Sequence, residues 1–170
     1  RPSEPFVQCD LHKRFVQEQV ARIRPQLVIM SSGITLLDQQ VAEPQGDARF
    51  ASWGTGTTSA IQALSAPGRK VVVIGPPPRA GNLQSCVTRL SSPADCTEPI
   101  SADWRGLRGA ERTGAERAGA SYVDVEPWFC AAGRCPAVVG STPVYTDGRH
   151  LTKAYAQRIA PYLAANLGVP

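Results

Sequence analysis

The stretch Lys70-Val71-Val72-Val73-Ile74-Gly75-Pro76-Pro77-Pro78 decides the fold. Val71 to Ile74 are all β-branched and stiff at χ1, a side-chain class that favours extended backbone. Their run has no polar residue at alternate positions, so it is predicted as a strand buried on both faces, the pattern of parallel sheet rather than of a half-solvated hairpin. Gly75 and the three prolines end it, because proline has no N–H to continue a ladder. Upstream, Leu27-Val28-Ile29-Met30 reads as a second buried strand. Downstream, Ser121-Tyr122-Val123-Asp124-Val125 reads as a third.

Helical spacing fills the intervals. After Asp10, read as an N-cap, Leu11, Phe15, Val16, Val20 and Ile23 recur at helical intervals until Pro25 stops the run. A second helix is expected over residues 53–64, ending near Pro67-Gly68. A third is expected over 101–118 despite Gly106, Gly109 and Gly114. The last, capped by Thr152, carries Tyr155, Ile159, Tyr162, Leu163 and Leu167 on one face, with Pro161 expected to kink it. Helices alternating with strands predict a single α/β domain over residues 1–170, a three-layer α/β/α sandwich around a parallel sheet. The opening helix itself calls for a preceding strand, so one or two strands are expected upstream of Arg1.

Composition narrows the function classes. No apolar run approaches the roughly 18 residues of a membrane span, and the start lacks the charged and apolar regions of a secretory leader. The net charge of +4 comes from dispersed arginines without interleaved aromatics, which argues against nucleic acid as a partner. Cys86 and Cys96 bracket a loop rich in Ser, Pro and Asp, and Cys130 and Cys135 bracket a Gly-containing turn. Both spacings can close as local disulfides, which places the chain in an oxidising compartment. Cys9 is left over, either bonded to chain outside this sequence or a buried free thiol. With only His12 and His150 as imidazoles and no Cys-x-x-Cys, no metal site is expected.

The chemistry-bearing residues converge on Asp147-Gly148-Arg149-His150. A carboxylate three residues before an imidazole can hold it in one tautomer, so that the other ring nitrogen takes a proton from a serine hydroxyl. Ser31, Ser32 and Gly33 end the first visible strand and are expected to contact substrate or cap backbone; the Gly-x-Ser-x-Gly elbow of a nucleophile is absent. In an open parallel sheet, ligands gather at the carboxyl ends of strands, so the loops beginning at Ser31, Gly75 and Glu126 should share a rim that residues 147–150 also reach. Gly54-Thr55-Gly56-Thr57-Thr58-Ser59 resembles a phosphate loop only superficially, since neither a strong strand before it nor a lysine after it is present. Helix N-capping is the reading adopted for it. Trp53, Trp104 and Trp128 read as core anchors before sugar-stacking platforms, and His12 as solvent-facing.

The blocks Tyr122-Val123-Asp124-Val125-Glu126-Pro127-Trp128-Phe129-Cys130, Arg134-Cys135-Pro136 and Tyr145-Thr146-Asp147-Gly148-Arg149-His150-Leu151, with Val72 to Arg79 and Arg22-Ile23-Arg24-Pro25 more loosely, carry a resemblance over nearly the whole chain. They resemble the SGNH domain fused behind membrane-bound acyltransferase family 3 proteins of bacteria. The resemblance implies a flavodoxin-like sheet, with Asp147 and His150 as acid and base of a Ser-His-Asp triad. It also implies an extracytoplasmic domain that O-acylates, chiefly O-acetylates, an envelope glycan or glycolipid. A membrane acyltransferase domain in the same polypeptide would handle a donor derived from acetyl-CoA, and the domain itself would need no cofactor. The family's Gly-Asp-Ser block is absent, so the nucleophile is expected upstream of Arg1, and Thr35 stands where an oxyanion-hole Asn is expected. An esterase or deacylase of the same fold, or a non-catalytic glycan-binding module, are the competing readings.

Overall fold

The structure is a computed structural model that describes residues 7–39 and 46–168. In chain order its elements are α1 (Val7–Ile23), β1 (Leu27–Ser31), α2 (Ala48–Leu64), β2 (Lys70–Ile74), α3 (Leu83–Cys86), β3 (Thr97–Pro99), α4 (Ala102–Arg117), β4 (Ser121–Val123), α5 (Glu126–Phe129), β5 (Arg134–Pro136), β6 (Val138–Val139), β7 (Thr142–Pro143) and α6 (Lys153–Leu167). The chain divides into two compact units, Arg1–Pro76 with Arg105–Val123, and Pro77–Trp104 with Asp124–Pro170.

The first unit is built on a parallel sheet in the order β1-β2-β4. Leu27 pairs with Lys70 and Ser31 with Ile74, while Val72 pairs with Ser121 and Ile74 with Val123. Val71, Val72 and Val73 of the central strand are all buried, as the uninterrupted apolar run predicts. Ile61 of α2 and Ala115 of α4 pack on Val71 and Val73, joined by Val28, Met30 and Tyr122. Each large apolar side chain so buried contributes about 1.5–3 kcal/mol. Gly114 of α4 is explained by close approach: a Cβ there would lie 2.6 Å from the Gly54 carbonyl oxygen of α2. At the same contact the Thr58 hydroxyl reaches the carbonyls of both Gly54 and Gly114 at 3.0 Å. Arg69 ties the ends of α1 and α2 together, donating to the Val20, Pro25 and Leu64 carbonyls.

Four expectations are corrected here. Asp10 lies within α1 (Val7–Ile23), bonded to Lys13, rather than at its cap. Strand β1, expected to be buried, has no fully buried residue, Ile29 being nearly half exposed, and on α1 Leu11, Phe15 and Ile23 are more than half exposed. Helix α2 starts at Ala48, so the Gly54–Ser59 run lies inside a helix instead of capping one, and Thr55, Thr57, Thr58 and Ser59 return their hydroxyls to carbonyls four residues back. Packing of α2 on α4 overrides the low helical propensity of Gly and Thr there. Strand β4 stops at Val123 because the Asp124 carboxylate accepts the Glu126 N–H at 3.2 Å and turns the chain into α5.

The second unit is stapled by both expected disulfides, Cys86–Cys96 with Cα atoms 5.6 Å apart and Cys130–Cys135 at 4.1 Å. Antiparallel pairing of β3 with β5 sets Glu98 opposite Cys135 and so joins the two bridged loops. Each bridge contributes about 2–3 kcal/mol on the chain-entropy view. Cys9, half-buried on α1, forms no disulfide among the described residues. Helix α6 is capped by the Thr152 hydroxyl, which accepts the Tyr155 N–H at 3.1 Å, and runs through Pro161 to a left-handed Gly168. On its face Tyr155 and Leu167 are buried, whereas Tyr162 is exposed.

Candidate active site

Asp147 and His150 lie in a tight turn between β7 and α6. The turn is closed by pairing of Tyr145 with Leu151 and by the Thr146 N–H on the His150 carbonyl at 2.8 Å. Gly148 has φ +82°, a left-handed geometry that favours glycine, and a Cβ there would meet the Ala80 carbonyl oxygen at 2.9 Å. The Tyr145 hydroxyl donates to the Pro78 carbonyl. Segment 78–80 therefore forms one wall of the turn. Beneath it, Phe129 stacks near Tyr145 and Tyr155, with ring centroids 6.1 and 5.7 Å away, and the Tyr155 hydroxyl donates to the Trp128 carbonyl at 2.6 Å. The aromatic floor fixes both ends of the loop that bears the histidine.

Within the turn, one carboxylate makes three bonds. Asp147 Oδ1 accepts the backbone N–H of Arg149 at 3.0 Å and of His150 at 2.9 Å, while Oδ2 lies 2.6 Å from His150 Nδ1. The His150 N–H, then the imidazole, then the Arg149 N–H hold the Asp147 carboxyl down at about 2. An ionised carboxylate only accepts, so Nδ1 carries the proton and Nε2 presents its lone pair. The His150 side chain is 80% exposed and Nε2 has no bonding partner among the described residues. The arrangement suits a general base whose tautomer and orientation are set in advance.

Ser31, Ser32, Gly33 and Gly75 fall in the first unit. Ser31 is exposed at the end of β1, Ser32 and Gly33 are half-buried, and Gly75 follows the neighbouring strand, its N–H on the Val123 carbonyl at 3.0 Å. Ser32 donates to Oε1 of Glu111, which also accepts the Trp53 indole N–H at 3.1 Å. Glu111 is buried, its second oxygen has no partner among the described residues, and desolvation raises its carboxyl despite the bonds from Ser32 and Trp53. Sequence reading passed Glu111 over. The signal was its place between Leu107 and Ala115 at four-residue spacing on the buried face of α4. Trp104 is fully buried and Trp53 is held by Glu111, in keeping with anchoring roles, and His12 is exposed on α1. Among the described residues no three His, Cys, Asp or Glu side chains gather as a metal site. No helix there is long and apolar enough to cross a membrane.

Comparison with known proteins supplies the lineage. The family model described as SGNH domain (fused to AT3 domains) matches residues 2–165. Among solved structures, the periplasmic domain of a lipopolysaccharide acetyltransferase from Salmonella ser. Paratyphi A superposes with a TM-score of 0.61 at 18% identity. The match covers 86% of this chain and 60% of that one, and at this identity it bears on fold alone. No curated protein matches the chain.

Proposed function

Since this chain belongs to the family of SGNH domains fused to AT3 domains, we propose that it transfers an acyl group, acetyl by preference, onto a hydroxyl of a cell-envelope glycan or glycolipid, outside the cytoplasm. The observation that carries the reading is Asp147 Oδ2 at 2.6 Å from His150 Nδ1, with Nε2 unbonded among the described residues. The hydroxyl nucleophile, on this reading, is a serine N-terminal to Arg1. Nε2 takes the serine proton as the oxygen attacks the donor carbonyl, then returns it to the departing group, leaving an acyl-serine. A sugar hydroxyl next gives its proton to Nε2 and attacks the ester. The serine oxygen leaves and recovers that proton, so no proton is gained or lost over the cycle. Asp147 stabilises the imidazolium in both half-reactions without itself being protonated. A membrane acyltransferase domain in the same polypeptide supplies the acyl group.

Hydrolysis is the one second reading favoured by an observation, because the high exposure of His150 gives water the same access as a sugar hydroxyl. Incubating the complete protein with an acyl nitrophenyl ester, with and without a glycan acceptor, separates the two. Transfer predicts acylated glycan and faster nitrophenol release when acceptor is present. Release that ignores the acceptor, with free acid as the product, assigns hydrolysis.

A further inference from the structure

Three exposed cations lie on the Asp147–His150 turn and on the segments joined to it. Arg79 is exposed and sits between two points of attachment to the turn, Pro78 under the Tyr145 hydroxyl and Ala80 against Gly148. Arg149 is also exposed, and its backbone is pinned by the N–H on Asp147 Oδ1 at 3.0 Å. Neither guanidinium has a carboxylate partner among the described residues. The one acid in the turn, Asp147, is held by His150 and by the Arg149 backbone N–H rather than by either arginine side chain. Lys153 adds a third exposed cation in the first turn of α6, which contains no acidic residue. At the positive end of a helix dipole a lysine works against helix stability, so its charge does not serve the helix.

From this placement we infer that Arg79 and Arg149, with Lys153, bind an anionic group on the acyl acceptor and so bring a sugar hydroxyl beside His150. The acceptor is thereby a negatively charged glycan, bearing a phosphate or a carboxylate. Guanidinium groups meet either anion with paired, charge-assisted hydrogen bonds, and their fixed backbones set the approach. The inference rests on His150 as the base of acyl transfer, but its test does not depend on turnover.

The test is an NMR titration of the labelled protein with glucose 1-phosphate, glucuronate, neutral methyl glucoside and inorganic phosphate. Amide shifts at Arg79 and from Gly148 to Lys153 are expected with one or both anionic sugars and not with the glucoside. Which anionic sugar binds more tightly identifies the group. The double variant Arg79→Gln/Arg149→Gln should weaken that binding about tenfold, as should added salt, while His150→Ala should leave it in place. Equal binding of the neutral glucoside, binding of inorganic phosphate as tight as of the sugar anions, or unchanged affinity in the double variant overturns the inference. A failure of acyl transfer alone would instead show as normal turnover in His150→Ala with anion binding intact.

Discussion

Asp147 grips His150 at two points at once, through the backbone N–H at 2.9 Å and the ring Nδ1 at 2.6 Å. The same side chain thus builds the turn and aims the imidazole, so the residue's structural and chemical roles are separable only by isosteric change.

Asp147→Asn keeps an oxygen for the two backbone N–H groups but turns an amide NH₂ toward Nδ1. The ring must then accept at Nδ1 and carry its proton at Nε2, the wrong tautomer for a base. Turnover of the complete protein should fall by about 10³-fold or more. Thermal unfolding should move far less than with Asp147→Ala, which also removes both backbone bonds.

The pH dependence of the pair follows from the direction of the shift. Asp147 is depressed to about 2, below the unfolded value of about 3.9. Its contribution to folding is therefore present above the unfolded value and is lost as pH falls through the folded one. Carbon-detected NMR should show the Asp147 carboxyl titrating near 2, and the acid limb of the rate profile should not belong to it.

Glu111 behaves in the opposite sense. Desolvation raises its carboxyl, so the folded state holds the proton more tightly than the unfolded one, and stability declines as pH rises from the unfolded value through the folded value. Glu111→Gln keeps an oxygen for Ser32 and Trp53 without the charge. It should be at least as stable as the parent at pH 7 and converge with it in acid, whereas Glu111→Ala should be destabilised by about 1–3 kcal/mol. Denaturant titrations at two pH values check both.

Gly148→Ala places a methyl group at φ +82° and against the Ala80 carbonyl oxygen. A cost of about 1–2 kcal/mol is expected from the left-handed backbone alone, read as a fall in Tm. Turnover should drop further than Tm suggests, because the turn that carries His150 must shift away from Ala80.

Much of this was legible in the chain before the structure. The Val71–Ile74 run predicted the central parallel strand, the cysteine spacings predicted both bridges, and the Asp147–His150 interval predicted the hydrogen-bonded pair. What escaped was set by tertiary contact. Gly54 reads as part of a capping run and Gly114 as a residue its helix merely tolerates, yet they are where two helices touch, a fact that no window of local sequence contains. Glu111 drew no reading from the sequence, and its partners Ser32 and Trp53, far away in sequence, go with a carboxyl that is buried. The apolar face of α1 had the right period for a core helix, but period alone does not say what covers it.

The most direct measurement is the turnover of His150→Ala in the complete protein, alongside its unfolding transition. The account predicts a loss of roughly 10³-fold or more with an unchanged transition, since the ring is exposed and only its bond to Asp147 is removed. Near-normal turnover in a folded variant would contradict it.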